Sequence, residues 1–163
     1  MLSNPDNQRY EILQTIGSGG FGRIYMATDR LDHKQVALKT VIDNVGTPIY
    51  LDREFDILSR LSHPNIVHVF EKFRLEGRLC FAMEKIDGVS LLKAIGAPCG
   101  QTLGKVGVRA FGQLQNAIDY LHENGIVHAE LSPGNILVDE YGVLRIVDFE
   151  HCRILGTDES DLH

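Results

Sequence analysis

Short runs that alternate between apolar and polar residues occupy the first half of the chain, and they predict β-strands. β-branched and aromatic side chains are common in these runs. A glycine cluster at 17–22 and the sequence RLDHK at 30–34 supply turns between the first three strands. The predicted strands are 10–17, 23–29, 35–41, 65–73 and 78–84.

A helix is predicted between the third and the fourth of these strands. Within residues 47–61 the apolar side chains recur at helical spacing. Thr47 suits the N-cap, and Pro48 suits the first helical position, where a proline loses no hydrogen bond. The side chains expected to face the core are Leu51, Phe55, Leu58 and Leu61.

The second half of the chain is predicted to be mainly helical. A short helix at 90–95 precedes a long helix at 104–124, which Gly125 is expected to end. Two short strands are predicted at 136–138 and 144–149. The fold class is therefore α+β. The apolar face of the long helix is predicted to consist of Val108, Phe111, Leu114, Ile118 and Leu121.

Composition and charge narrow the function classes. The 163 residues are 44% hydrophobic and 23% charged, which is ordinary for a globular protein of one domain or two lobes. A net charge of −6 disfavours binding to nucleic acid or to an anionic membrane. The N-terminus has no signal-peptide pattern, and no apolar run reaches the roughly 18 residues of a membrane span. With three unpatterned cysteines, we expect a cytoplasmic protein.

Three glycines, Gly17, Gly19 and Gly22, form a G-x-G-x-x-G pattern. Glycines allow backbone N–H groups to approach phosphates, so the pattern indicates nucleotide binding. In dinucleotide-binding folds a helix follows the glycines. Here the strand sequence at 23–29 follows them, which places the glycines in a hairpin and disfavours that class. A glycine-rich turn without a ligand is the alternative that the pattern alone leaves open.

Lys39 lies inside an apolar strand sequence, where a lysine is rarely buried without a partner. It is either an edge lysine that reaches water or a lysine paired with a carboxylate while it contacts phosphates. Glu54, in the predicted helix, is the candidate partner. Such a pair would couple the position of the helix to phosphate binding.

Five segments resemble the motifs of protein kinases in their order and spacing. They are GSGGFGRIY, VALK, REFDILSRLSHPNIV, IVHAELSPGNILVD and IVDFE. The resemblance covers about residues 10–150. It implies a kinase-like N-lobe at 10–83 after an extension at 1–9. It also implies a hinge at 84–90, a truncated C-lobe at 91–155 and an acidic tail at 156–163.

The same resemblance implies ATP and Mg²⁺ as cofactors and assigns roles to individual residues. Lys39 would contact the phosphates, Glu54 would hold Lys39, and Met83 would be the gatekeeper beside the adenine. The implied nucleotide-binding residues are Gly17, Gly19, Gly22, Ile24, Ala37, Lys39, Glu54, Met83, Glu84, Ile86 and Leu137. The implied catalytic residues are Lys39, Glu130, Asn135 and Asp148, of which Asn135 and Asp148 are the metal ligands.

The loop that transfers phosphate departs from the kinase pattern His-Arg-Asp-Leu-Lys-Pro-x-Asn. Ala129 replaces the arginine, Glu130 replaces the catalytic aspartate, and Ser132 replaces the lysine. Glu150 replaces the glycine of the Asp-Phe-Gly motif. A displacement of about 1 Å in a catalytic group can lower a rate ~10²-fold. These changes are therefore expected to slow phosphoryl transfer more than they weaken ATP–Mg²⁺ binding.

The chain stops soon after Glu150, so the helices that form the peptide-substrate platform of kinases are expected to be absent. The face of helix 104–124 and of the loop at 126–139 is then expected to pair with a protein partner or a second copy. Polar side chains on that face would instead permit a monomer. The prediction is an ATP–Mg²⁺-binding pseudokinase with a regulatory or scaffolding role. The alternatives are a weakly active Ser/Thr-type kinase that uses Glu130 as its base, and an interaction module without nucleotide.

Overall fold

The computed structural model describes residues 9–19, 22–41, 48–96 and 101–156. The predicted N-cap Thr47, most of the N-terminal extension and most of the acidic tail lie outside these ranges. The chain divides into two compact units. The first contains residues up to Ser62 together with His68–Lys85, and the second contains His63–Val67 and the residues from Ile86 onwards.

In its described residues, the first unit is a five-stranded antiparallel sheet with one helix. The order of the strands is β1-β2-β3-β5-β4, so that β3 and β5 are interior strands. The α+β class and the β-rich first part are confirmed. The elements are β1 (Tyr10–Ser18), β2 (Gly22–Asp29), β3 (Gln35–Val41), α1 (Pro48–Leu58), β4 (Val69–Leu75) and β5 (Arg78–Glu84).

The two faces of this sheet have different roles. One face carries an apolar core in which Leu38 and Ala82 are fully buried. The other face carries α1, whose Phe55 ring lies 5.8 Å from the ring of Phe81 in β5. Both faces of β3 are thereby covered, which explains its nearly continuous burial. The residues of the apolar core are Tyr10, Tyr25, Ala27, Val36, Leu38, Leu75, Cys80 and Ala82.

The part of the second unit that the structure describes combines two helices with short strands. A three-stranded sheet has the order β6-β8-β9, and β10 pairs with β7. The segment His63–Val67 joins this unit because the Val67 amide donates to the Ile146 carbonyl and the Ile146 amide to the Asn65 carbonyl. The elements are β6 (Gly88–Ser90), α2 (Leu91–Gly96), α3 (Gln101–Glu123), β7 (Ile126–Val127), β8 (Ile136–Asp139), β9 (Leu144–Ile146) and β10 (Arg153–Ile154).

Several sequence predictions about these elements are wrong in detail. The fourth strand begins at Val69 rather than at residue 65, because residues 63–67 pack in the second unit. The long helix begins at Gln101, and Phe111 is 71% exposed instead of facing the core. Among the side chains of α3 that the structure describes, which exclude Val108, the buried ones are Ala110, Ala117 and Leu121. Small alanines lie on the packed side of α3, so the position of the large apolar side chain of Phe111 does not identify that side.

The predicted hinge at 84–90 contains regular structure at both ends. β5 extends to Glu84, and β6 pairs Gly88–Ser90 with β8. A Cβ on Gly88 would lie 2.5 Å from the Val138 carbonyl oxygen, so this pairing requires glycine there. Within the described part of the chain, no helix has the length and apolar character that crossing a membrane requires.

Candidate nucleotide-binding site

Lys39 and Glu54 form a buried ion pair in the first unit. The Lys39 ammonium donates to Glu54 Oε1 at 2.8 Å and lies 2.6 Å from Oε2. The two residues are 8% and 2% exposed. Lys39 projects from the sheet towards α1 and has little access to water, so the carboxylate of Glu54 supplies the compensating charge. The pairing expected from the sequence is present.

Five of the predicted nucleotide-binding residues lie on one face of the sheet. Directly paired residues of antiparallel strands point to the same side. Gly17 pairs with Ile24, Ile24 pairs with Lys39, and Ala37 pairs with Met83. Ala37 and Lys39 are two residues apart in β3 and therefore face the same way. The face thus combines an ammonium group with an apolar surface.

The glycine hairpin is closed by a hydrogen bond from the Gly19 amide to the Gly22 carbonyl, 3.0 Å long. A Cβ on Gly22 would lie 2.8 Å from the Thr40 carbonyl oxygen, so packing against β3 already requires glycine. A Cβ on Gly19 would meet no described atom within 4 Å. Packing therefore accounts for Gly22, whereas Gly19 has the open surroundings that an approaching phosphate needs.

Glu84 ends β5, and its backbone is already partly engaged. Its amide donates to the His68 carbonyl at 2.8 Å, and its carboxylate accepts a hydrogen bond from the His68 amide. The Glu84 amide is therefore engaged within the first unit, and the contact of Glu84 with adenine stays a prediction. Ile86 follows in the second unit, between β5 and β6.

In the second unit, hydrogen bonds within the loop at 128–135 fix its shape. The Glu130 amide donates to the His128 carbonyl at 2.8 Å, across Ala129, whose φ is 61°. This i→i+2 bond with a positive central φ describes a strained γ-turn. The Asn135 amide donates to the Ser132 carbonyl, and its side-chain Nδ2 donates to the Glu130 carbonyl at 3.1 Å.

The segment that carries Asp148 lies directly beside this loop. The Val147 amide donates to the Asn135 carbonyl at 2.9 Å, so Asn135 and Asp148 lie on adjacent segments. Asp148 has a φ of 68°, a conformation that aspartate adopts more readily than most residues. Phe149 turns inward, is fully buried and packs its ring 4.8 Å from that of His128.

The His128 side chain is buried at the start of the loop and packs against Phe149. Burial lowers its pKa below the usual value of a histidine, while the negative charge of Asp148 opposes that shift. The imidazole is therefore neutral at pH 7. This supports a packing role against Phe149 rather than a role in acid–base catalysis.

Comparison with known proteins agrees with this geometry. The family of the protein kinase domain matches residues 10–162 of the chain. The chain belongs to the protein kinase family. It is 34% identical over 145 residues to CBL-interacting protein kinase 26 of Oryza sativa subsp. japonica. The aligned region covers 86% of the chain and 29% of that relative. It is 35% identical over 146 residues to CBL-interacting serine/threonine-protein kinase 12 of Arabidopsis thaliana, with the same two coverages.

The chain spans about three tenths of the length of these two curated kinases. A third relative, the putative CBL-interacting protein kinase 27 of Oryza sativa subsp. japonica, is 34% identical and is covered over 36% of its length. The similarity extends over most of this kinase chain but over a minor part of each relative. The recognition made from the five motifs is confirmed at the level of the family.

Glu130, which stands where the kinase motif has an aspartate, lies close to a histidine. Its carboxylate Oε2 lies 3.2 Å from Nε2 of His151, close enough for an ion pair when the imidazole is protonated. Both side chains are more than half exposed. The carboxylate that replaces the kinase aspartate thus has a neighbouring base of its own, which the motif alone does not reveal.

Asn135 and Asp148 have the chemistry that Mg²⁺ prefers. Both offer side-chain oxygens, and Asn135 uses its amide nitrogen on the Glu130 carbonyl, which leaves its oxygen as the atom for a cation. The described residues contain no group of three or more His, Cys, Asp or Glu side chains that could hold a metal. A pair of oxygen donors still fits Mg²⁺, because this ion is commonly completed by nucleotide phosphates and water.

Leu137 lies in β8 between the buried residues Ile136 and Val138 and is itself half-buried. It pairs with Ser90 and is placed on the opposite side of the strand from those two neighbours. Leu137, like Ile86, Glu130, Asn135 and Asp148, belongs to the second unit. The joint use of these residues with the first-unit residues on one nucleotide stays a prediction.

Two residues near the predicted site were not found from the sequence. His151 lies beside Glu130, and Lys72 in β4 contacts α1, the helix that carries Glu54. Neither belongs to a motif, and no periodicity sets it apart. Both become visible only when strand register and loop shape bring separate segments together.

Proposed function

We propose that this kinase domain binds ATP with Mg²⁺ and transfers phosphate slowly or not at all, so that it acts as a pseudokinase. The observation that carries the proposal is the buried pair of Lys39 and Glu54. A lysine in the interior of a sheet lowers stability unless it is compensated. Its retention on the same face as the other predicted nucleotide-binding residues of the first unit supports a role in holding phosphates.

The proposed binding mode divides the nucleotide between polar and apolar groups. Lys39 would contact the phosphates, and the glycine hairpin would approach them with its backbone amides. Ile24, Ala37 and Leu137 would contact the base. Asn135 and Asp148 would hold Mg²⁺ through their oxygens, and the bound cation would neutralise phosphate charge.

Slow transfer is inferred from the chemistry of the loop. Glu130 carries its carboxylate one methylene further from the backbone than aspartate does, and His151 competes for that carboxylate. Ser132 lacks the positive charge of the kinase lysine, which would otherwise stabilise charge on the transferring phosphate. Loss of one such electrostatic group typically costs ~10²–10³ in rate. These effects act on transfer and leave the residues proposed for ATP and Mg²⁺ intact.

A weakly active Ser/Thr-type kinase is the second candidate. The observation in its favour is the exposure of Glu130, whose side chain is 58% accessible and therefore reachable by a hydroxyl substrate. Under this function Glu130 would orient the hydroxyl and accept its proton. An interaction module that binds no nucleotide is the third candidate. This function gives no reason for a buried lysine at position 39.

A regulatory role through a protein partner or a second copy is part of the proposal. Its support is the exposed ring of Phe111 on α3 and the partly exposed Leu131 in the catalytic loop. Light scattering of the wild type and of Phe111→Ser measures whether a second copy associates through this face. A monomer in both cases would refute self-association.

Thermal unfolding with ATP, with and without Mg²⁺, tests the proposed function. Binding at 100 times Kd stabilises by about 2.7 kcal/mol, which is readily seen as a shift in Tm. We expect a Mg²⁺-dependent shift in the wild type and its loss in Lys39→Ala, with unchanged response in the exposed control Lys34→Ala. Equal shifts in wild type and Lys39→Ala, or none in the wild type, would favour the interaction module. Turnover of γ-labelled ATP that vanishes in Glu130→Ala would favour the weak kinase.

A further inference from the structure

A row of three side chains crosses the sheet beneath α1. In the strand register, Lys39 of β3 is opposite Phe81 of β5, and Phe81 is opposite Lys72 of β4. Directly paired residues point to the same face, so these three side chains all project towards α1. A buried aromatic ring therefore lies between two lysines.

The helix meets each member of this row with a matching side chain. Glu54 bonds Lys39, the ring of Phe55 packs against that of Phe81, and Lys72 bonds the carboxylates of Asp52 and Asp56. The distance from Lys72 Nζ to Asp56 Oδ1 is 3.0 Å. Each contact pairs a residue of the row with its chemical complement: opposite charges at both ends and rings in the middle.

The angular positions on α1 explain why both ends of the row matter. Successive residues of an α-helix are rotated by roughly 100°. Asp52 and Asp56 therefore lie on one flank, Glu54 points to the opposite flank, and Phe55 lies between them above Phe81. The ion pair of Glu54 fixes one flank of α1, whereas the packing of Phe55 on Phe81 is apolar and non-directional, so it resists rotation about the helix axis less. A second attachment by an ion pair on the far flank opposes that rotation.

Lys72 is well placed to be this second attachment. Its side chain is 29% exposed, and its Nζ lies 5.1 Å above the centre of the Phe55 ring. The hydrogen bonds that Lys72 donates to Asp52 and Asp56 raise the pKa of its ammonium above the usual value. The charge at this position is therefore permanent at neutral pH, and it is shared between two turns of the helix.

We propose that Lys72 is a positioning residue that holds α1 at the rotation where Glu54 meets Lys39. The proposal deepens the proposed function and rests on it where nucleotide affinity is concerned. Neutralising Lys72 allows α1 to roll, which weakens the hold of Glu54 on Lys39 and so lowers the affinity for ATP–Mg²⁺. Lys72 itself needs no contact with the nucleotide.

The test uses Lys72→Met, which removes the charge and keeps an apolar stem over Phe55. Hydrogen exchange of the α1 amides is measured without nucleotide, and ATP–Mg²⁺ affinity is measured by titration. We expect faster exchange in α1 with unchanged exchange in β3 and β5, and affinity weakened roughly fivefold, the loss expected for a partly exposed ion pair. Lys72→Arg keeps the charge and is expected to match the wild type in both measurements.

The matched control is Lys34→Met, which removes an exposed lysine from the turn between β2 and β3 and should change neither readout. Asp52→Asn with Asp56→Asn should reproduce the effect of Lys72→Met, and adding Lys72→Met to this pair should add nothing further. Unchanged exchange in α1, or equally faster exchange throughout the sheet, would overturn the proposal.

Failure of the proposed function has a different signature. If the wild type does not bind ATP–Mg²⁺, the proposed function fails, while the exchange of the α1 amides still decides whether Lys72 holds the helix. If the wild type binds and Lys72→Met binds equally well despite faster exchange, the link between helix position and affinity is refuted.

Discussion

Replacing Lys39 by methionine removes one charge from the pair that lies at the centre of the first unit. Methionine retains most of the length and apolar volume of the lysine stem, so the change in packing is small. The perturbation is therefore mainly electrostatic: the Glu54 carboxylate stays buried, at 2% exposure, without its cation.

The expected loss of stability is large because the site is nearly closed to water. Breaking a buried ion pair by removing one partner costs about 3–5 kcal/mol, whereas replacing both partners by apolar residues is often close to neutral. We expect Lys39→Met to lower the free energy of unfolding by an amount in that range. The double variant Lys39→Met with Glu54→Leu should recover most of it, leaving a net loss of about 1 kcal/mol or less.

Urea unfolding at pH 7, followed by far-ultraviolet circular dichroism, measures these differences. The control Lys34→Met removes a lysine of which 79% is exposed, and it should leave the midpoint unchanged. A loss below about 1 kcal/mol in Lys39→Met would show that Glu54 is not held as a buried carboxylate. A double variant as unstable as the sum of the two single variants would contradict direct pairing.

Three further outcomes follow from individual residues. Burial lowers the pKa of His128 in the folded state, so the unfolded chain binds a proton more readily. The free energy of unfolding in urea should therefore contain the full contribution of His128 above the unperturbed pKa of 6.5, and it should fall as the pH drops through the folded pKa. His128→Leu should weaken this pH dependence. In the two-residue turn from β4 to β5, Glu76 has a φ of 52°, so Glu76→Asn should raise the free energy of unfolding by about 1 kcal/mol, whereas Glu76→Val should lower it. His151→Ala releases the Glu130 carboxylate. Any residual turnover of γ-labelled ATP should then rise by at most about fivefold without a change in ATP affinity. A fall in turnover would mean that His151 assists Glu130 instead of competing with it.

The sequence predicts those features in which local chemistry leaves few solutions. A lysine within the apolar strand 35–41 is rarely buried without a partner, and the helical spacing of 47–61 brings the carboxylate of Glu54 within reach. The glycines before a strand rather than a helix predict a hairpin, which the structure contains as β1 and β2. The protein kinase family could be identified from the sequence because several such motifs occur in order. Each motif requires particular side chains at particular backbone positions.

Features without a signal in the local sequence could not be predicted. The two- and three-residue strands β6, β7 and β10 are too short to show a periodicity, and partner strands alone define them. Phe111 fits the apolar pattern of α3 but is exposed, whereas the small side chains of Ala110 and Ala117 lie on the buried side. The contacts of Lys72 with α1 and of His151 with Glu130 likewise require the register of the sheet and the shape of a loop.

The central claim is that the chain holds ATP–Mg²⁺ without passing on the phosphate, and one measurement tests both halves of it. The protein is mixed with γ-labelled ATP and Mg²⁺, retained on a filter at successive times, and the label is separated into ATP, free phosphate and phosphorylated protein. We predict that the retained label remains ATP and that Lys39→Ala retains none. Transfer of label to protein or water at the ~1–100 s⁻¹ typical of kinases, or no retained label in the wild type, would contradict the claim.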